Sequence, residues 1–564
     1  MSKALKVNVG GRKVVDLGGA GFHYVGAGGQ AEVYQSNGIA YKLYHDSKNS
    51  MPTAKMQELM QILAPNVIKP LEILYSVDGK PVGYTMKYLA GMQPVCKFFT
   101  KSFKLDNNLT PDLIAELVKQ LQLTVDAVHK SGCLIVDLNE LNVLIGDDFV
   151  SPHLIDTDSF QTPSFRATAI MDSVRDRVTR QGHFSEATDW FSFAVMATQL
   201  YLNIHPYKGS HPKYLPGELN KRMDDNVSIF HKGVKLPIVC NPFSVIPSRH
   251  LNWLKDVFLN NDRSLPPLAD GCPISLHENV VLIGGTNRFE VKELFTLDSD
   301  ILFRMEQFGV DYFVTRKSVY RQQDVIWSGV SNYKKVMLCT ADSGDLIITG
   351  YDGKLTLSFL SDTGMELSRT SCSGAFYRNN AIYTANRGHL YEHTFTRIGS
   401  KLLPQVKSVA QVSEFNTKLY PGVVVQDLLG KTWLTLPYAL GRCHSYNIPE
   451  LNGFRVIEAK CERNVCVVIM ERNGIYSRAF LEFTQDYASY TYREDKDVSY
   501  DGINATVLEN GMCILLGSDE IQLTRKGTTH KISDPPIGPN MRLFNKGVSV
   551  FFLNGTSVYS LKMK

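Results

Sequence analysis

From about residue 280 onward the chain consists of short alternating runs separated by Gly, Asn and Asp, among them "DYFVTRKSVY", "GDLIITGYDGKLTLSFL", "NAIYTANRGHLYEHTF", "CVVIMERNGIYSRAFLEF" and "VSVFFLNGTSVYSL". Period-two alternation of this kind marks strands, and the "DG", "NG" and "RG" pairs between them mark hairpin turns. Convincing helical periodicity is absent. The paired strands recur roughly every 32–48 residues, the spacing of the blades of a β-propeller. The expectation for 281–564 is an all-β propeller of seven blades, or six.

Residues 1–270 read differently, as mixed strands and helices. A strand-like opening is interrupted by "YVGAGGQAEVY" (24–34), and a strand "GIAYKLY" (38–44) follows. The run 51–63 places Met56, Leu59, Met60 and Leu63 on one helical stripe. A longer helix begins at Thr110, an N-cap followed by Pro111 at the first helical position. It buries Leu113, Ile114, Leu117, Leu121 and Val128, and stops at Gly132. The segment 187–202 is apolar nearly all round and reads as a buried helix. Pro and Gly crowd into "RSLPPLADGCP" (263–273), so the first domain ends near 270, with 271–280 as linker. The fold class expected is therefore multidomain, an α+β domain followed by an all-β one.

Charge excludes some functions. Lys and Arg total 60 against 56 Asp and Glu, with no dense basic tract, so neither nucleic acid nor an acidic membrane surface is implied as a partner. No run approaches the length of a membrane span. The ten Cys are scattered and the opening "MSKALKVNVGGRKVV" lacks the apolar core of a signal peptide, so the expectation is a reducing cytoplasm. Cys461 with Cys466, and His389 with His393, lack a second pair at metal-site spacing and read as core or surface residues.

The stretch "LIVDLNELNVLI" (134–145) interrupts two apolar runs with Asp137 and Asn142. Such residues serve as turns, but phosphate chemistry links them to features elsewhere. Gly26, Gly28 and Gly29 lie between two strands, where missing side chains let backbone N–H groups approach a polyphosphate. On the next strand Ala40 and Lys42 share a face, a small roof for a base beside an ammonium for phosphates. Glu58 is the acidic residue of the following helix, and a Lys42–Glu58 pair would hold that ammonium. Asp137 would serve the acceptor hydroxyl, while Asn142 and Asp156, in "HLIDTDSF", would hold metal.

In this order the features resemble a protein-kinase-like domain over 20–270, with an N-lobe to about 88 and a C-lobe from about 89. "GAGGQAEV" (26–33) resembles the glycine-rich loop, with Ala31 in place of its third glycine. "IAYK" (39–42) resembles the strand bearing the nucleotide lysine. "IVDLNELN" (135–142) resembles the catalytic loop, and "DTD" (156–158) stands at the metal-binding Asp-Phe-Gly. Asp189 and Arg263 resemble the structural aspartate and arginine of the C-lobe. The run "VDLNELNVLI" with "LIDTDSFQ" is similar to atypical bacterial predicted Ser/Thr kinases of the YegI-like kind. The resemblance implies a bilobal kinase fold and ATP and Mg²⁺ as cofactors. Gly26, Gly28, Gly29, Val33, Ala40 and Lys42 would line the nucleotide, with Asp137, Lys42 and Glu58 catalytic and Asn142 and Asp156 on metal. A protein substrate or partner would be recruited through the propeller.

The chain also departs from that pattern. Ile135 and Val136 replace the usual His-Arg, which removes the arginine that reads a phosphorylated activation loop. Asn139 replaces a lysine, Asp158 a glycine, and no Ala-Pro-Glu lies between Asp156 and Asp189. Two alternatives therefore stand beside an active kinase: a pseudokinase scaffold that binds nucleotide without transfer, and a small-molecule kinase.

Overall fold

A computed structural model describes residues 5–27, 31–46, 50–167, 169–180, 182–215, 217–237, 240–267, 288–307, 309–351, 356–472, 474–498, 502–517, 520–525, 528–533 and 541–564. The chain falls into two compact units, Met1–Lys104 with Leu109–Glu278, and Leu105–Asn108 with Asn279–Lys564. The expected linker 271–280 lies outside the described residues.

The first unit is built on an antiparallel sheet of β1 (Lys6–Val9), β2 (Lys13–Asp16), β3 (His23–Ala27), β4 (Ala31–Ser36), β5 (Ile39–Tyr44), β6 (Pro70–Tyr75) and β7 (Pro81–Lys87). Their spatial order is β2-β1-β6-β7-β5-β4-β3. Asn37 and Gly38, at φ 49° and 77°, make the two-residue turn between β4 and β5, whose twist suits a hairpin. β5 then alternates strictly, with Ala40, Lys42 and Tyr44 on the buried face. Gly83 lets β7 lie against it: a Cβ there would stand 2.0 Å from the Lys42 carbonyl oxygen. A smaller sheet joins β8 (Gln93–Pro94), β9 (Val143–Ile145) and β10 (Pro152–Leu154) in the order β10-β9-β8.

The helices of this part of the chain are α1 (Thr53–Met60), α2 (Lys101–Asp106), α3 (Pro111–Lys130), α4 (Glu186–Leu202), α5 (Leu219–Asp224) and α6 (Ser248–Leu259). α3 starts as its sequence dictates, the Thr110 side chain accepting from the Leu113 N–H at 3.3 Å. Past its end Gly132 turns the chain at φ 75°. α4 is buried on every side, and the α3–α4 contact brings the residues after α3 against Asp189. α1 corrects the expected stripe. The helix buries Lys55, Met56 and Leu59, so Met60 is 46% exposed, and past the helix end Leu63 is 92% exposed while Ile62 is buried.

Among the described residues the second unit contains seven antiparallel sheets of four strands each. Six are meanders of consecutive strands, over 301–327, 335–371, 374–411, 417–447, 455–495 and 505–533. The seventh combines Arg542–Lys546, Ser549–Asn554 and Ser557–Met563 with Phe289–Thr296, which pairs with the last strand from Phe289↔Met563 to Thr296↔Ser557. Neighbouring sheets pack through their apolar inner strands, while outer strands such as Glu366–Ser371 and Lys401–Gln411 are largely exposed. Met305 and Val314 pack with Leu338 and Ile348, Leu434 with Val468 and Leu481, and Ile514 with Leu543 and Phe552. Leu553 and Val558 pack in turn with Ile301 and Phe313, joining the seventh sheet to the first. Buried Arg378 ties three consecutive sheets by donating to the carbonyls of Pro437, Gly422, Cys461 and Arg463. Among the described residues no helix is long and apolar enough to cross a membrane.

His393 gives this unit an acid limit. Its ring is buried, stacks on Phe359 at 4.8 Å and places Nε2 2.8 Å from Thr384 Oγ1. Burial depresses its pKa to about 4. An unfolded chain protonates this residue near 6.5, so its contribution is complete above that pH and is lost as pH falls toward 4. Between pH 7 and 4 the wild-type chain should lose about 3 kcal/mol more stability than His393→Gln, measured by denaturant unfolding at each pH. Equal slopes for the two would refute this.

Candidate functional site

Lys42 reaches the site from the buried face of β5. Its Nζ lies 2.5 Å from Asp156 Oδ1, a residue 114 positions later, and 2.9 and 3.0 Å from Asp158 Oδ1 and Oδ2. Both Asp158 oxygens have a further donor, Tyr44 OH at 2.5 Å on Oδ2 and Tyr84 OH at 3.1 Å on Oδ1. Period two on β5 puts Tyr44 on Lys42's face, and register places Tyr84 of β7 opposite Lys42. From α1, Lys55 Nζ donates to the Asp158 carbonyl at 2.6 Å.

This packing separates the two carboxylates electrostatically. Burial drives the Asp158 carboxyl upward, but the Lys42 charge and the Tyr44 hydroxyl outweigh it and hold the pKa at about 2. Asp156 is raised, by burial first and then by the neighbouring Asp158 charge, against the pull of Lys42. Lys42 itself is raised: burial disfavours its charge, and the two carboxylates more than compensate.

The catalytic-loop candidates follow α3. Ile135 and Val136 donate their N–H groups to Asp189 at 2.7 and 2.8 Å, and His129 Nε2 lies 2.9 Å from the same carboxylate. Val136 is thereby held at φ 65°, a left-handed conformation rare for a β-branched residue. The Asn139 side chain accepts from Leu141 N–H at 2.8 Å and Asn142 N–H at 3.2 Å, closing a tight loop. Asn142 Nδ2 then donates to the Asp137 carbonyl at 3.1 Å. Asp137 Oδ1 accepts the Met171 N–H at 2.8 Å, and burial raises its pKa despite that donor. Ile155 N–H bonds the Asn142 carbonyl at 3.0 Å, so Asn142 and Asp156 sit on adjoining backbone, with Asp156 at φ 62°.

No family model matches the chain, and no curated protein is significantly similar to it.

Of the residues singled out from sequence, Lys42, Asp137, Asn142 and Asp156 form this constellation. Ala40 is buried on Lys42's face, Val33 lies opposite Lys42 on β4, and Gly26 pairs with Val33 from β3. Gly28 and Gly29 lie outside the described residues. Glu58 is a correction. It accepts from Ser164 N–H at 3.2 Å, while Asp156 and Asp158 are the carboxylates on Lys42.

Sequence reasoning also missed Asp176. Buried, it receives a two-pronged bond from Arg263, Nε to Oδ2 at 2.8 Å and Nη2 to Oδ1 at 2.7 Å. The sequence offers several acidic residues between Asp156 and Asp189, among them Asp172 and Glu186, and nothing local sets Asp176 apart. Asn142 and Asp156 supply one amide and one half-exposed carboxylate, a donor set that suits Mg²⁺ completed by water and phosphate oxygens.

Proposed function

We propose that the chain is an ATP- and Mg²⁺-dependent phosphotransferase, an atypical Ser/Thr protein kinase, whose second unit is a seven-bladed propeller that recruits a protein partner or substrate. One observation carries the reading. A lysine from β5 meets Asp156 at 2.5 Å, on backbone bonded to the loop that carries Asp137 and Asn142. Those four side chains are the parts phosphoryl transfer needs: a cation for the α/β-phosphates, a carboxylate for the acceptor hydroxyl, and two oxygen ligands for metal. Bound Mg²⁺ would neutralise charge on the β- and γ-phosphates. The sheet order β3-β4-β5-β7-β6 and the Asp189 latch on the loop also support a kinase-like reading.

Radiolabelled transfer from ATP with Mg²⁺, onto the protein itself and onto a generic protein mixture, tests the proposal. Wild type should incorporate label, and Asp156→Ala should lose at least about 100-fold, since it removes a charged metal ligand. One observation favours a second reading, a nucleotide-binding scaffold: the Met171 N–H already occupies one oxygen of Asp137, the carboxylate that would serve the acceptor hydroxyl. Mg·ATP binding without any incorporation would select it.

A further inference from the structure

Asp158 stands where the kinase resemblance expects a glycine, and Glu58, the expected partner of Lys42, is bonded to Ser164. These two departures answer each other. We propose that Asp158 is the positioning residue for Lys42, so that the nucleotide lysine is held by a carboxylate of the metal-binding loop and not by the carboxylate of α1. The inference rests on the phosphotransfer reading above.

The geometry divides labour between the two carboxylates. The Asp158 side chain is 11% exposed and Asp156's is 43% exposed, so only Asp156 stands open to an incoming ligand. Asp158 gives both oxygens to Lys42, at 2.9 and 3.0 Å, and each oxygen is fixed by one tyrosine hydroxyl. Its backbone is fixed as well, through the Lys55 bond to its carbonyl. Such a fully bonded carboxylate is a rigid support. Were Asp156 to serve as a metal ligand, Asp158 would remain as the second anionic partner of Lys42. Without Asp158 the ammonium would have no second anchor, because Glu58 is engaged elsewhere. Lys42 in this chain is therefore independent of the α1 carboxylate.

Calorimetric titration of the full-length protein with Mg·ATP tests this. Wild type should bind, and Asp158→Asn should weaken affinity by about tenfold, the scale of coupling between contacting charged groups. Glu58→Gln should change it by less than about twofold, as for a site outside the network. Lys42→Met should also weaken binding, and Lys42→Met/Asp158→Asn should be no weaker than Lys42→Met alone. A residue that only stabilised the fold would add its loss to that of Lys42→Met. Should Asp158→Asn fail to fold, Tyr44→Phe/Tyr84→Phe removes the two hydroxyls that orient Asp158, and should weaken binding only when Lys42 is present.

Unchanged or tighter binding by Asp158→Asn, additive losses in the double variant, or an equal loss in Glu58→Gln would each overturn the proposal. Absence of any Mg·ATP binding by wild type is a different result. It removes the phosphotransfer reading itself and this inference with it.

Discussion

Asp137→Asn should lower the rate of phosphate transfer by about 10²–10⁴-fold, the range for loss of a positioned general base. Asparagine retains an oxygen for the Met171 N–H, now 2.8 Å from Asp137 Oδ1, so the loop can keep its course. What disappears is the negative charge. Mg·ATP affinity should stay within about threefold, because the side-chain hydrogen bonds described for Asp137 reach Met171, Asn139 and Asn142 and not Lys42 or Asp156. A fall in turnover with nucleotide binding intact places the defect in chemistry. An undiminished rate would mean that transfer does not use this loop, and a parallel loss of ATP affinity would mean that Asp137 supports the nucleotide site. Asp137→Ala separates shape from charge, since it also strips the Met171 N–H of its acceptor.

The residues of this site were unequally visible in the sequence, for a physical reason. Lys42 was legible because β5 alternates, and alternation alone puts Ala40, Lys42 and Tyr44 on one face. α3 was legible because Thr110, Pro111 and Gly132 act within their own turns. The four-stranded repeats were legible because hairpin turns are local too. The partner of Lys42 was not, since the choice between Glu58 and Asp158 depends on which side of α1 faces the sheet. Asp158 lies 116 residues from Lys42 in sequence, and no pattern spans that gap. The same holds for Asp176 with Arg263, 87 residues apart, and for Phe289–Thr296, which completes a sheet with the far end of the chain. Turns and periodicities are written locally, whereas ion pairs of a site are decided by tertiary approach.

Asp189→Ala should cost the first unit about 3–5 kcal/mol, the range for breaking a buried charge network. Asp189 is fully buried, and its carboxylate accepts from Ile135 N–H, Val136 N–H and the His129 ring. Alanine leaves two backbone N–H groups without acceptors inside the protein, at about 1–3 kcal/mol each. It also releases Val136, whose φ of 65° costs on the order of 1–3 kcal/mol and persists only while neighbouring bonds impose it. That relief partly offsets the loss in stability but moves Asp137, the next residue, away from Asn142. The variant should therefore lose transfer activity even at temperatures where it remains folded. Scanning calorimetry of the full chain should show a lowered transition, and amide exchange at Ile135 and Val136 should accelerate. An unchanged thermal profile would mean that the loop holds its shape without the aspartate, and the strain at Val136 would then need another source.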